Sequence, residues 1–172
     1  MSDASEPVHA APHVDPDAYR RALGVFGTGV ALIVARDGEG RAHGMIINSL
    51  TSVSLAPPIV LWCVANTSAV FGVFTQCPVF SINILGRGEE ELCRRFSRKG
   101  DRIVPEELLE AFETGAPVLR LAAANLDCRM RRHEAVGDHE VIYGDVAAFR
   151  ADPKVDALGF FRGRFVTLSA GE

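Results

Sequence analysis

Three groups of residues in this 172-residue chain have the types and spacing that chemistry needs. The first is Asn48, Ser49, Thr51, Ser52 and Ser54, a polar run that follows the apolar Met45-Ile46-Ile47 and stops at Pro57-Pro58. A strand that leaves a core and at once offers hydroxyls and backbone N–H groups can hold a polar, anionic ligand against an apolar wall. The same residues can equally form a Ser/Thr-rich turn that caps its own backbone. The second group is Gly137-Asp138-His139-Glu140, ahead of Val-Ile-Tyr143-Gly144, where a turn feeding a strand sets one imidazole between two carboxylates. His139 could there hydrogen-bond a ligand's carboxamide or shuttle a proton. The alternative is a surface turn histidine. The third group is Arg94-Arg95, Arg98-Lys99 and Arg102, which could meet a phosphate. Its alternative is a solvated helix face with i,i+4 pairing to Glu90 and Glu91.

Other chemistries lack their signals. Gly24-Val-Phe-Gly27-Thr-Gly29 closes a helical segment, whereas a dinucleotide fingerprint must follow a strand and open a helix. There is no phosphate-binding GxxxxGK[ST] loop and no Gly-x-Ser-x-Gly elbow. Cys63, Cys77, Cys93 and Cys128 show no CxxC spacing and no matching histidines, which argues against a zinc site. Cys63, inside Ile-Val-Leu-Trp-Cys-Val, reads as a small buried hydrophobe.

These groups must be positioned by a β-rich scaffold. Residues 1–14 read as a flexible tail ahead of a domain over 15–172. Asp15 and Pro16 start a helix with Ala18, Ala22, Leu23 and Phe26 on one face, ended by Gly27-Thr-Gly29. Strands are expected at 30–35, at the start of 43–58, at 59–64 and at 79–85, with a hairpin turn at Asp37–Gly40. Thr67 or Ser68 can cap a short helix reaching Phe74, and Glu89–Phe96 is an amphipathic helix with acids first and bases last. A helical piece at 105–112 precedes strands at 119–126, 128–136, 141–150, 158–161 and 165–168. Many short strands with few helices argue for a mainly β fold, a barrel, over an alternating α/β sheet.

Composition narrows the partners. With 48% hydrophobic residues the chain can bury a sizeable core. Net charge is −4 and the basic residues are scattered, so nucleic acid is not expected as a partner. Apolar runs such as 59–65 are too short to cross a bilayer, and the first residues carry no signal pattern. The expectation is a soluble, cytoplasmic protein with no membrane contact.

Together, several motifs resemble the short-chain flavin reductase family. They are Phe26-Gly-Thr-Gly-Val30, Gly44-Met-x-x-Asn-Ser-x-Thr-Ser-Val-Ser-Leu-x-Pro-Pro58, Phe80-Ser-Ile-Asn-Ile-Leu85, Leu92-Cys-Arg-Arg-Phe96, Gly137-Asp-His139 with Gly144-Asp-Val146, and Phe160-Phe-Arg-Gly163. The resemblance covers about residues 18–169. It implies a split β-barrel that forms a homodimer and uses NADH or NADPH to reduce FMN or FAD. The reduced flavin would then diffuse to a partner flavin-dependent monooxygenase or halogenase.

Carried over residue by residue, the resemblance lays Ile46, Ile47, Asn48 and Ser49 along the isoalloxazine edge, with Ser52 and Ser54 near the ribityl-phosphate. Cys63, Val64, Ala65 and Ser68 would form the other wall, and Phe161 or Arg162 would line the nucleotide side. His139 would sit by the nicotinamide as a positioning group. Hydride transfer needs nicotinamide C4 within about 3–3.5 Å of flavin N5, and donors aimed at the charge that develops. The chain departs from the family at Ile46, where threonine is usual. Two further readings remain: a firmly bound FMN that reduces a metal chelate or a corrinoid, and a non-catalytic flavin carrier.

Overall fold

The computed structural model describes residues 14–98, 100 and 102–169. All of the expected tail but Val14 lies outside the described residues, as does Lys99 of the basic group. Helix α1, Pro16–Leu23, starts as the sequence predicts, with the Asp15 carboxylate accepting from Asp17 N–H and Pro16 in the first turn. It ends earlier than expected, at the Gly24 cap, and none of its residues is buried. The apolar face expected on Ala18, Ala22, Leu23 and Phe26 therefore covers no part of this chain's core.

The barrel is built from one seven-stranded antiparallel sheet. Its strands are β2 (Ala31–Arg36), β3 (Ala42–Ile47), β4 (Thr51–Leu55), β5 (Pro58–Ala65), β6 (Val79–Ile84), β9 (Ala124–Val136) and β10 (His139–Ala151). Their order is β3-β2-β6-β9-β10-β5-β4, so β3 and β4 are the two edges of the sheet. Only Asn48, Ser49 and Leu50 separate those edges along the chain. A three-residue link spans roughly 10 Å, so the sheet must curl until its edges nearly meet. They are not hydrogen-bonded to each other. The result is a split β-barrel with its seam at the polar run.

Alternation explains the walls. β5 buries Val60, Trp62 and Val64 while Leu61, Cys63 and Ala65 turn outward. Trp62 packs edge-on against Phe74 and Phe80, at centroid distances of 5.3 and 5.7 Å, in the centre of the barrel. Phe74 comes from α2 (Phe71–Gln76), which plugs one end. Gly144 faces the same core, where an added Cβ would stand 2.6 Å from Phe80 Cζ, so no larger residue fits beneath that ring.

A three-stranded sheet, β1 (Thr28–Gly29), β11 (Ala157–Phe161) and β12 (Arg164–Leu168), extends the barrel beside β6. Val30 stitches the two sheets, since its N–H donates to Leu158 O (3.1 Å) and its carbonyl accepts from Leu85 N–H (3.0 Å). Helix α3 (Glu90–Ser97) buries Cys93 and Phe96 in a second cluster with Leu32, Val34, Val104 and Leu158.

Four expectations are corrected. Thr51–Leu55 is a strand, not a continuation of a loop, because its backbone pairs with β5 from Thr51↔Leu61 to Leu55↔Pro58. The helical piece at 105–112 is a short 3-10 turn, Glu106–Leu108, followed by β7 (Leu109–Ala111), which pairs with β8 (Pro117–Leu119). The strand expected at 119–126 is divided between β8 and β9, and β9 runs unbroken through Asp127. Asp127 survives inside a strand because its carboxylate accepts from Thr114 N–H (2.7 Å) and from the Thr114 hydroxyl. Glu90 and Glu91 form no ion pair with Arg94 or Arg95 among the described residues; those arginines lie over Phe165 and Phe96 instead.

Candidate active site

The seam gathers the first group of candidates. A cleft of about 400 Å³ opens there, lined by Phe26, Thr28, Gly29, Val30, Ala31, Ile47, Asn48, Ser49, Leu50, Thr51 and Ile84. A second chamber of about 150 Å³ adjoins it, sharing Val30, Ile47 and Asn48 and adding Ile46, Cys93, Ser97, Phe160 and Phe165. Ile46, Ile47, Asn48 and Ser49 thus converge on one place. β3 delivers them because its apolar residues end where the sheet ends. Asn48 is exposed at the seam, and its carboxamide makes no hydrogen bond among the described residues. Ser49 is committed: its hydroxyl accepts from Cys63 N–H at 3.0 Å and so ties the seam to β5.

The other wall is only partly as expected. Cys63 is half-buried rather than buried, facing Ser49, and burial pushes its thiol pKa up while the Ser49 contact offsets part of that. Val64 points into the core and is fully buried, so only its backbone can face a ligand. Ala65 is the register partner of His139, which brings the second candidate group alongside the end of β5. Asn66 N–H donates to Asp138 O at 3.0 Å and fixes this corner.

His139 is half-exposed, and its Nδ1 lies 2.7 Å from Asp138 Oδ1. That contact holds the Asp138 carboxyl below its usual range. Glu140 does not reach His139; it pairs with His133 Nδ1 at 2.9 Å. One of the two flanking carboxylates therefore orients the imidazole.

Several candidates lie elsewhere. Ser52 and Ser54 border an apolar groove of about 300 Å³ with Leu55, Leu126 and Phe149. Ser68 donates to Met45 Sδ (3.6 Å) and accepts from Val70 N–H (3.4 Å), a local cap beneath the end of β3. Phe161 ends β11 and Arg162 opens the β11–β12 turn, where Arg162 N–H donates to Gly24 O at 2.8 Å. Phe160, one residue earlier, lines the smaller chamber, because neighbouring strand residues face opposite ways.

Sequence reasoning also passed over Thr28. Its Oγ1 is buried and has no partner among the described residues, in a stretch that borders the cleft. A hydroxyl left so costs about 1–3 kcal/mol, so a bound group that reached it would be favoured. The Phe26–Val30 motif was the signal that could have flagged it.

These features fit a planar ring with one polar edge. Val30, Ile47 and Ile84 make an apolar wall, while Thr28 and Asn48 offer uncommitted polar atoms, and 400 Å³ lies within the range of small-molecule sites. A larger cavity, about 500 Å³, lies between Gly86–Glu89, Arg120–Ala122 and Arg150–Asp152. It holds none of the sequence candidates, and its Arg120 and Arg150 are spent on Glu110, at 3.2 and 2.6 Å. The seam is the better site.

Known proteins agree with that choice of chemistry. Residues 23–169 match the flavin reductase like domain family. The chain is 39% identical to the FMN reductase (NADH) SmoA of Agrobacterium fabrum, covering 86% of this chain and 85% of the relative. It is 38% identical to the reductase subunit of stachydrine N-demethylase from Rhizobium meliloti, over 88% of this chain but only 65% of that protein's length. Among solved structures, an NADH:FAD oxidoreductase of Streptomyces globisporus, in complex with NAD and FAD fragments, superposes with a TM-score of 0.82. It shares 32% identity over 92% of this chain and 98% of its own. Sequence, fold and seam agree, and the chain belongs to the flavin reductase like family.

Proposed function

We propose that this chain is an NADH-dependent oxidoreductase that takes free FMN or FAD as substrate at the barrel seam and releases it reduced. The observation that carries this is the seam cleft itself: an apolar wall faced by two polar side chains, Thr28 and Asn48, that the fold leaves uncommitted. Flavin supplies the hydride-accepting chemistry when bound. The chain's own residues bind, orient and exclude water. Asn48 can donate to the polar ring edge, where negative charge develops, and its donors are already in place before reaction. Val30, Ile47 and Ile84 keep water from one side of the cleft. His139, oriented by Asp138, positions the nicotinamide, and that role needs no change of its charge.

The reduced product would serve a flavin-dependent monooxygenase or halogenase; a 32% identical relative, the reductase subunit HsaB of a flavin-dependent monooxygenase in Rhodococcus jostii, supports such a division of labour. A homodimer is part of the same reading. α1 buries nothing in its own chain, and its end presents Tyr19, Leu23, Val25 and Phe26, the last 78% exposed. On β4, Leu55 is 87% exposed. Exposed apolar side chains of this kind support a surface covered by a second copy. No helix among the described residues is long and apolar enough to cross a membrane, and all four cysteines are free, which suits the cytoplasm.

The test is NADH and NADPH oxidation with FMN, FAD or riboflavin at matched concentrations. The proposal expects turnover that depends on added flavin, with NADH preferred. A preparation that retains stoichiometric flavin and ignores added FMN would instead favour a bound-cofactor enzyme. No oxidation with any flavin would leave a carrier.

A further inference from the structure

We propose that Arg94 anchors a phosphate of the nucleotide bound at the seam. This rests on the reductase reading and adds a specificity-determining residue to it. Flavin mononucleotide, flavin adenine dinucleotide and NADH are all polyanions, yet this chain carries a net charge of −4. An acidic protein that captures anions needs a local region of opposite potential.

Arg94, over a ring that lines the smaller chamber, is placed to supply one. Four arginines away from the seam are matched to carboxylates, Arg20 to Asp17 (3.0 Å), Arg36 to Glu106 (2.6 Å), Arg41 to Asp37 (2.8 Å) and Arg131 to Asp145 (2.8 Å), whereas Arg87 and Arg129 are in no ion pair among the described residues. Arg94 has no such partner among the described residues, although Glu90 and Glu91 stand one helical turn away. Its guanidinium lies instead 5.8 Å from the centroid of Phe165. Phe165 and Phe160, with centroids 5.7 Å apart, form one wall of the smaller chamber, beside Ile46 and Asn48.

An arginine resting on an aromatic ring is held in place without using its N–H fork. That fork remains available for a phosphate, which it can grip in a bidentate way. Arg98 follows Ser97, Arg164 precedes Phe165, and neither has a carboxylate partner among the described residues. Both adjoin residues that line the chamber. These side chains are thus not drawn into ion pairs at this rim, although Glu90 and Glu91 lie on the same helix.

The experiment is steady-state kinetics of R94Q and R94K against riboflavin, FMN, FAD and NADH, with R131Q as a control on a strand away from the seam. Loss of a charge-assisted contact should cost R94Q about tenfold in kcat/KM, expressed in KM more than in kcat. If the phosphate belongs to flavin, the ratio of kcat/KM for FMN to that for riboflavin falls about tenfold. If it belongs to the nicotinamide nucleotide, KM for NADH rises about tenfold with every flavin. R94K should recover part of either loss, because the charge survives while the fork does not. KM values for R94Q within about twofold of wild type for FMN, FAD and NADH would overturn the proposal. Should R94Q fail to fold, inorganic pyrophosphate decides: competitive inhibition of wild type that R94K weakens supports it, and no inhibition overturns it. A wild-type protein inactive with every flavin would remove the reductase reading instead.

Discussion

Two asparagines, Asn83 and Asn48, show how differently this barrel treats polar side chains in its interior and at its seam. Asn83, fully buried on β6, uses its whole carboxamide. Its Nδ2 donates to Leu32 O and Ser81 Oγ, both at 2.9 Å, while its Oδ1 accepts from Leu119 N–H (2.8 Å) and Asn125 Nδ2 (2.7 Å). Asn48, at the end of β3, uses none of its own among the described residues. A buried amide must be satisfied by the protein, whereas one at a break in the sheet is free for a ligand. The interior network holds the fold together; the open seam is where we propose that the ligand binds. Trp62 Nε1 departs from the pattern, buried in the core without a partner among the described residues.

The sharpest way to break this contrast is N83A. It strands two donors and two acceptors in the core, and should cost about 3–5 kcal/mol of stability, read from urea unfolding. N48A should do the reverse: a midpoint unchanged within about 0.5 kcal/mol, but a loss of about tenfold in kcat/KM for flavin. If N48A unfolded easily and kept its kinetics, the two residues would have exchanged roles. H139A should raise the apparent KM for NADH by about fivefold and lower kcat less, as expected for a group that positions rather than reacts. The opposite split would make His139 catalytic.

The smallest effect concerns pH. Burial raises the Glu89 carboxyl above its ordinary 4.5, against the Gly86 N–H that donates to it. A carboxyl raised on folding contributes stability while protonated; that contribution is complete below the ordinary value and is lost as pH climbs through the raised one. E89Q stays neutral, so its unfolding free energy should fall less than that of wild type over that interval. Paired urea titrations at acid and neutral pH measure the difference.

Much of this was legible beforehand. The location of the polar run, the capped start of α1 and the sign order along α3 follow from residue chemistry alone. What the sequence concealed was pairing. Thr51–Leu55 looks like a turn because serine and threonine suit turns, yet β5 supplies a ladder that overrides that preference. Asp127 looks like a strand breaker until Thr114, thirteen residues earlier, is seen to satisfy it. Ser52 and Ser54 carry the expected hydroxyls, but lie along a different groove from Asn48. Each of these depends on contacts distant in sequence.

We propose that flavin binds at the seam, not in the larger cavity beside Arg120 and Arg150. Amide hydrogen exchange with and without saturating FMN tests it directly. Protection should rise in residues 28–31 and 47–51, the walls of the seam cleft. Protection confined to residues 86–89, 120–125 and 150–152, around the larger cavity, would contradict it.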